Sequence, residues 1–160
     1  MTDFKKEFWK RLSNVKSGLM DVDGRLFPMT PNLTPEDDGA IWFITSKGTD
    51  AADAAEAGKT IRFALSDNSA GLHGYVNGKV STSPNQEKLE EIWSVVASAW
   101  FEDGKYDPDL VLVKFEPQDG EIWLSTESGA VFLFETIKAN LTHHEPDVGQ
   151  RATLDFKKAA

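Results

Sequence analysis

Cysteine is absent from this sequence of 160 residues. Without a thiol the chain cannot form a disulfide, a thiolate nucleophile, an iron-sulfur cluster or a thiolate zinc site. Positive charge is also scarce, since 17 Lys and Arg stand against 26 Asp and Glu. The resulting net charge of -9 argues against nucleic acid or an anionic membrane surface as a partner.

Long apolar runs are missing as well. No segment approaches the roughly 20 apolar residues of a membrane span, and residues 1–20 lack the apolar core of a secretory signal. We therefore expect a cytoplasmic protein. The chain does contain 40% hydrophobic residues, including 10 Phe and 5 Trp, which can fill one core. A single domain over residues 1–160 is expected, since globular domains commonly have roughly 100 to 150 residues.

Short strand patterns dominate the chain. Apolar or alternating segments recur between clusters of turn-forming residues. The predicted strands are residues 17–22, 25–33, 40–45, 60–67, 72–81, 110–116, 120–125 and 151–156. Hairpins are expected at Asp23–Gly24, between the second and third strands, and around residues 117–119. The glycines at positions 74 and 78 indicate that the strand over 72–81 is bent.

Helical patterns lie between the strands rather than after each one. They fall within residues 1–13, at 51–57, from Ser83 onward and at 127–141. A parallel sheet would require a helical crossover between successive strands. The expected fold class is therefore mainly β (α+β), a split antiparallel β-barrel with peripheral helices.

The junction between residues 40–44 and 51–57 is a candidate anion site. A buried strand ends there in hydroxyl, amine and glycine residues, and Thr49 or Asp50 is placed to cap the helix that follows. Hydroxyls, unpaired backbone N–H groups and a positive helix end at one place suit a phosphate. The alternative is that Thr49 and Asp50 only cap the helix.

No segment carries a catalytic signature. A Gly-x-Ser-x-Gly elbow is missing, and the adjacent His143 and His144 fit a polar loop better than a metal site. His73, on a bent strand beside glycine, is expected to be a hydrogen-bonded structural residue. We therefore predict no catalytic residue and no metal site.

The segment 99–109 is unusual because Trp100, Phe101 and Tyr106 lie among glycine, proline and acidic residues. Aromatic rings in such a loop are costly to leave in water. We expect them to cover either a neighbouring subunit or a flat ligand.

Several short segments occur in a recognisable order and spacing. They are residues 8–9, 18–20, 28–29, 42–46, 89–93, 120–124 and above all Ala-Trp-Phe-Glu-Asp-Gly-Lys-Tyr-Asp-Pro at 99–108. Together they resemble the general stress protein branch of the pyridoxamine 5'-phosphate oxidase-like family. The resemblance spans roughly residues 5–125.

The resemblance implies a flavin-binding split barrel that forms a homodimer, with FMN in a cleft between the subunits. Residues 27–30 and 43–49 would face the cofactor, and Trp100 would help to close the cleft from the other subunit. A flavin supplies redox chemistry itself, so a flavin-dependent oxidoreductase is one expectation. Pyridoxine phosphate oxidase activity is not expected, because residues 150–156 do not resemble that enzyme's substrate-binding set.

Two positions depart from the pattern of this branch. Phe27 stands where its members usually carry Arg, and Ala51 stands where they usually carry Lys. Both cations would pair with the FMN phosphate, and each charge-assisted hydrogen bond contributes roughly 1.5 to 3 kcal/mol. Arg25, on the same strand face as Phe27, and Lys47, inside the polar junction, are candidate replacements. Otherwise they are solvated surface charges.

Most candidate cofactor-binding residues follow from the resemblance, whereas Arg25 and Lys47 are added because of their positions in the sequence. They are Arg25, Phe27, Met29, Thr30, Phe43, Ile44, Thr45, Ser46, Lys47, Thr49 and Trp100. Two other functions stay open. One is a cofactor-free dimeric barrel with a degenerate flavin site that acts as a binding or interaction protein. The other is a barrel that holds a different flat ligand, such as haem or a deazaflavin, in the same cleft.

Overall fold

The structure is a computed structural model that describes residues 3–34, 38–93, 101, 103–125, 137–143 and 149–157. Within these ranges seven antiparallel strands form one sheet. The strands are β1 (Gly18–Val22), β2 (Arg25–Met29), β3 (Ile41–Ser46), β4 (Thr60–Asp67), β5 (Leu72–Thr82), β6 (Leu110–Ser125) and β7 (Gly149–Asp155). The helices that flank them are α1 (Phe4–Leu12), α2 (Asp50–Glu56) and α3 (Gln86–Ile92), and residues 137–142 are also helical.

The strand order is β2-β1-β4-β5-β6-β3, and β7 is added to β6. The two end strands, β2 and β3, approach each other through Asn32, which follows β2. Asn32 N donates to Trp42 O at 2.9 Å, and Trp42 N donates to Asn32 O at 2.8 Å. An isolated bridge of this kind joins the ends without a continuous ladder, so the sheet is not a closed barrel. The predicted fold class, a mainly β split antiparallel barrel with peripheral helices, is confirmed.

Aromatic rings fill the inner face of the sheet. Phe43 of β3 packs edge-to-face on Phe63 of β4 and Phe115 of β6, with ring centroids 5.1 and 6.2 Å apart. All three rings are fully buried. Such pairs contribute about 0.5 to 1.5 kcal/mol beyond the area that they bury. α1 adds Phe8 and Leu12, which lie one turn apart on the same helix face, to this core.

The opposite face of β3 is buried too. Trp42 packs with Leu112 of β6 and with Leu89 and Ile92 of α3 in a second apolar cluster. The Trp42 indole Nε1 donates to Asp38 Oδ2 at 3.0 Å, so its polar atom is satisfied. The prediction of a buried strand is therefore confirmed, and both of its faces are covered.

One predicted hairpin is wrong. Residues 110–116 and 120–125 are not two strands around a turn but parts of the single strand β6. β6 pairs along its length with β5, and the register shifts where Asn77 and Gly78 face Asp119 and Pro117. The proline and its neighbours mark a β-bulge, which tolerates proline as a turn does. The signal that indicated a turn is explained by this bulge.

A second predicted hairpin, between residues 25–33 and 40–45, is also wrong. β2 pairs with β1, whereas β3 pairs with β6. In the described part of the chain, the backbone pairing between the two segments is the single bridge of Asn32 and Trp42. Sequence neighbours usually pair, but β3 finds its partner about 70 residues away because both of its faces must be buried.

Gly74, one of the two glycines that predicted a bend in β5, has an unusual backbone conformation. This residue has φ 132°, a conformation that side chains with a Cβ rarely adopt. A Cβ placed there would collide with the carbonyl oxygen of Glu121 on β6. Close approach of two strands at this point therefore requires glycine.

The predicted helices near the N-terminus, at 51–57 and after Ser83 are confirmed as α1, α2 and α3. The fourth, at 127–141, lies mostly outside the described residues, of which 137–142 are helical. In the described ranges, no helix has the length and apolar character that crossing a membrane would take. The cytoplasmic location expected from the sequence stays a prediction.

Arg11 ties α1 to the sheet. Its Nη1 donates to the carbonyl oxygens of Gly71 at 2.7 Å and Ser125 at 2.8 Å.

Arg11→Met keeps the aliphatic stem but leaves both carbonyls without this donor, so we expect a loss of about 2 to 3 kcal/mol in the free energy of unfolding. Urea denaturation measures it. Lys10→Met, at an exposed neighbouring position, should stay within about 0.5 kcal/mol of the wild type; equal losses in the two variants would contradict the anchoring role.

Candidate functional site

The end of β3 and the start of α2 form a compact hydroxyl cluster. Thr49 is the N-cap of α2, and its Oγ1 accepts from Ala52 N at 3.2 Å, as predicted. The same Oγ1 donates to Ser46 O at 2.9 Å and lies 2.8 Å from Thr45 Oγ1. Because a hydroxyl has one proton and that of Thr49 goes to Ser46, Thr45 is the donor to Thr49. Both threonine protons are thus used within the chain.

An anion at this junction must therefore find its donors elsewhere. Ser46 offers a hydroxyl on a half-buried side chain, and Lys47 is exposed. Lys47 N donates to Asp109 O at 2.8 Å, which ties the junction to the segment that precedes β6. The loop turns at Gly48, where φ is 82°. These contacts hold the backbone of the junction in place while the Lys47 side chain stays in solvent.

Arg25 is the cation that the fold delivers to the start of α2. Its Nη1 lies 3.1 Å from Asp50 Oδ2, in the first turn of the helix. The two side chains are 78% and 37% exposed, so solvent reaches both. Asp50 directly follows Thr49 in the chain. The guanidinium therefore reaches the residue next to the hydroxyl cluster from a strand 25 positions earlier.

The two positions that depart from the family pattern are both packed. Phe27 is half-buried and lies against the main core, and Ala51 is 1% exposed. Since successive strand residues alternate between faces, Arg25, Phe27 and Met29 point to the same side of β2. Arg25 can therefore supply a positive charge on the same strand face as position 27, where the phenyl ring of Phe27 carries none.

The other candidate residues are more scattered. Met29 is half-buried against the main core, whereas Thr30 is exposed and its carbonyl accepts from Asn32 Nδ2 at 3.1 Å. Ile44 packs against the second apolar cluster, which contains Trp42. Phe43 is fully buried in the core, so neither its ring nor its main chain is exposed to a ligand at this junction. The predicted role of Trp100 falls outside the described residues.

The structure thus groups Arg25, Thr45, Ser46, Lys47 and Thr49 around one junction. The sequence did not predict that Asp50 is the ion-pair partner of Arg25. The sequence marked it only as a possible helix cap, and no local signal connects it to a residue 25 positions away.

Part of the aromatic segment 99–109 is covered by its own chain. Phe101 is buried and its ring centroid lies 6.1 Å from that of Trp93, next to α3. Tyr106 is 69% exposed, and its hydroxyl donates to Glu90 Oε1 at 3.3 Å. Of the rings expected to cover a subunit or ligand, Phe101 is therefore used internally and Tyr106 remains accessible.

His73 is a hydrogen-bonded structural residue, as predicted. Its Nδ1 lies 2.7 Å from Ser66 Oγ, and its Nε2 lies 3.3 Å from Ser125 Oγ. The imidazole bridges β4, β5 and the end of β6. Both ring nitrogens are engaged, which fits a role in joining strands.

The split antiparallel sheet and the polar junction between β3 and α2 agree with the family to which the sequence is matched. The model of the family described as "Pyridoxamine 5'-phosphate oxidase like" matches residues 3–147, and the chain belongs to this family. Within it, the chain is similar to general stress protein 26 of Bacillus subtilis (strain 168). The two are 30% identical over 135 residues, which are 82% of this chain and 96% of the relative.

Two solved structures extend the comparison. A protein of Jannaschia sp. CCS1 assigned to general stress protein 26 is 46% identical with a TM-score of 0.90, covering 98% of this chain and 100% of that one. The general stress FMN/FAD binding protein of Xanthomonas citri is 28% identical with a TM-score of 0.69, covering 79% of this chain and 93% of that one. The resemblance noted in the sequence is confirmed.

Proposed function

We propose that this chain is a flavin-binding protein of the general stress protein 26 type that holds FMN. The FMN phosphate would lie at the junction of β3 and α2. The observation that carries the proposal is the position of Arg25, whose guanidinium reaches Asp50, the residue beside the hydroxyl cluster. The name of the Xanthomonas citri relative, which includes FMN/FAD binding, supports a flavin as the ligand.

The residues at the junction fit a phosphate. Arg25 carries five N–H donors, and its exposed fork can exchange one carboxylate partner for phosphate oxygens. Lys47 adds a second positive charge on an exposed side chain, and Ser46 adds a hydroxyl donor. These groups take over the task of the Arg and Lys that the family pattern places at positions 27 and 51.

When bound, the flavin supplies the redox chemistry, while the protein binds and orients it. The chain's contribution is a phosphate anchor on Arg25 and Lys47 and a rigid backbone through residues 43–49. The proposal assigns no catalytic side chain, no electron donor and no substrate. A flavin-dependent redox role follows only if the bound flavin is reduced and reoxidised in the protein.

The proposal includes a homodimer that encloses the flavin between two copies. Leu19 of β1 and Leu26 of β2 are 43% and 60% exposed in the single chain. Leu19 faces Pro28 across the β1 and β2 ladder, which extends the apolar surface. Apolar side chains grouped on one sheet face favour association. Trp100 of the second copy is proposed to close the cleft, as the resemblance implies.

A second candidate function is a cofactor-free binding or interaction protein with the same fold. The observation that favours it is that Phe27 and Ala51 are both apolar and packed, so two family phosphate anchors are absent. In this case Arg25 and Lys47 are ordinary solvated charges.

One experiment separates the two candidates. The purified protein is titrated with FMN, FAD and riboflavin by calorimetry, and its mass is measured by light scattering. We expect a dimer that binds FMN about 10- to 100-fold more tightly than riboflavin, because only FMN offers a phosphate to the charged anchors. A colourless protein that gives no heat with any flavin would refute the flavin proposal and favour the cofactor-free candidate. A monomeric mass would refute the shared cleft.

A further inference from the structure

We propose that Asp50 is a built-in competitor for the phosphate anchor. Its carboxylate occupies Arg25 when no ligand is bound, and a phosphate must displace it. This inference rests on the proposed function, since it concerns how the same site accepts or rejects ligands. Asp50 would thereby lower the affinity of the anchor for a phosphate without itself holding the flavin.

The geometry of the pair supports displacement. Arg25 Nη1 and Asp50 Oδ2 lie 3.1 Å apart, but both side chains are open to solvent. An ion pair in water holds its partners only weakly, because water and salt screen the attraction. Arg25 can therefore exchange Asp50 for a better anion without loss of the fold.

Asp50 is not required as the helix cap. Thr49 occupies the N-cap position and satisfies Ala52 N. The buried face of α2 consists of alanines, whereas Asp50 lies at its solvent-facing start. Removal of the Asp50 charge therefore leaves both the cap and the packing of α2 in place.

The charge of the incoming group decides the competition. A phosphate monoester such as that of FMN carries nearly two negative charges near neutral pH, so it attracts Arg25 more strongly than one carboxylate does. Once the phosphate is bound, the displaced carboxylate stays nearby and repels it. Asp50 thus lowers the affinity of the anchor for every anion.

Asp50→Asn tests this directly, because it keeps the size of the side chain and removes the charge. We expect the variant to bind FMN about 5- to 20-fold more tightly than the wild type, from the freed Arg25 and the lost repulsion together. Riboflavin, which has no phosphate, should change by less than about 2-fold. Binding is measured by calorimetry at fixed salt, and thermal unfolding shows that the variant is folded.

The matched control is Glu56→Gln. It removes the same charge from the same helix, six residues and about 9 Å farther along, and should leave the FMN affinity within about 2-fold. The double variant Arg25→Ala/Asp50→Asn should gain less over Arg25→Ala than Asp50→Asn gains over the wild type, because only the lost repulsion remains once the competitor has no target. Asp50→Ser serves as a second variant and should reproduce the gain.

The outcomes are distinguishable. If the wild type binds FMN and Asp50→Asn and Asp50→Ser bind it equally well, the competitor role is refuted and the proposed function stands. An equal gain for riboflavin also refutes the role, since it would not act through the phosphate. If neither the wild type nor any Asp50 variant binds FMN, both proposals are refuted.

Discussion

Arg25→Ala is expected to weaken FMN binding by about 10- to 100-fold. The guanidinium would be the principal charged contact of the phosphate, and a charge-assisted hydrogen bond is worth roughly 1.5 to 3 kcal/mol. Lys47→Ala should have a smaller effect, because an exposed ammonium is strongly hydrated. The double variant should lose at least as much as Arg25→Ala. Titration of each variant with FMN and riboflavin provides the measurement.

Lys79→Ala is the matched control for these variants. It removes one positive charge from β5, opposite Thr60 and near the other end of α2. Its FMN affinity should stay within about 2-fold of the wild type. If Arg25→Ala, Lys47→Ala and the double variant all bind FMN as the wild type does, Arg25 and Lys47 do not replace the missing anchors. Riboflavin affinity should be insensitive to all of these changes.

Phe43→Ala is expected to destabilise the fold by about 3 to 5 kcal/mol. The ring is fully buried between Phe63 and Phe115, so its removal leaves a cavity where three strands meet. For a domain of this size, 1 kcal/mol shifts the melting temperature by roughly 2 to 4 °C, which gives a fall of about 6 to 20 °C. Calorimetric melting of the purified variant measures both quantities.

Tyr106→Ala is a comparison for Phe43→Ala because it also truncates an aromatic ring. Tyr106 is 69% exposed, so its loss should cost less than about 1 kcal/mol. Below its melting temperature, Phe43→Ala should bind FMN within about 3-fold of the wild type, since the ring lies inside the core. A stable Phe43→Ala protein with much weaker FMN binding would instead place this side chain at the cofactor.

The local elements were largely predictable, whereas two of their pairings were not. The strand over 40–44 was recognised because residues buried on both faces form a continuous apolar run. The strand that pairs with it was not recognised, because an apolar run indicates that a strand is buried but not which strand lies beside it. β6 was divided at residues 117–119 because proline and aspartate occur in bulges as well as in turns. Only pairing with the long β5 distinguishes these cases.

The candidate site shows the same division. The hydroxyls at the end of β3 and the cap of α2 are local in the chain, and Thr49 does cap the helix. That Arg25 shares a strand face with Phe27 was likewise predictable from strand alternation. The ion pair with Asp50 depends on how β2 lies relative to α2. This arrangement is set by packing in the core, and the spacing of Arg25 and Asp50 along the chain does not indicate it.

Composition and local patterning, by themselves, determined that this chain lacks thiol chemistry, forms short antiparallel strands with peripheral helices, and ends its most apolar strand in a hydroxyl-rich turn. These features depend on residues within a few positions of one another. The tertiary structure alone decided that β3 pairs with β6, that β6 is one bulged strand and that Asp50 occupies Arg25. Such contacts join distant segments, and they form because burial of the aromatic core stabilises one arrangement of strands over the others.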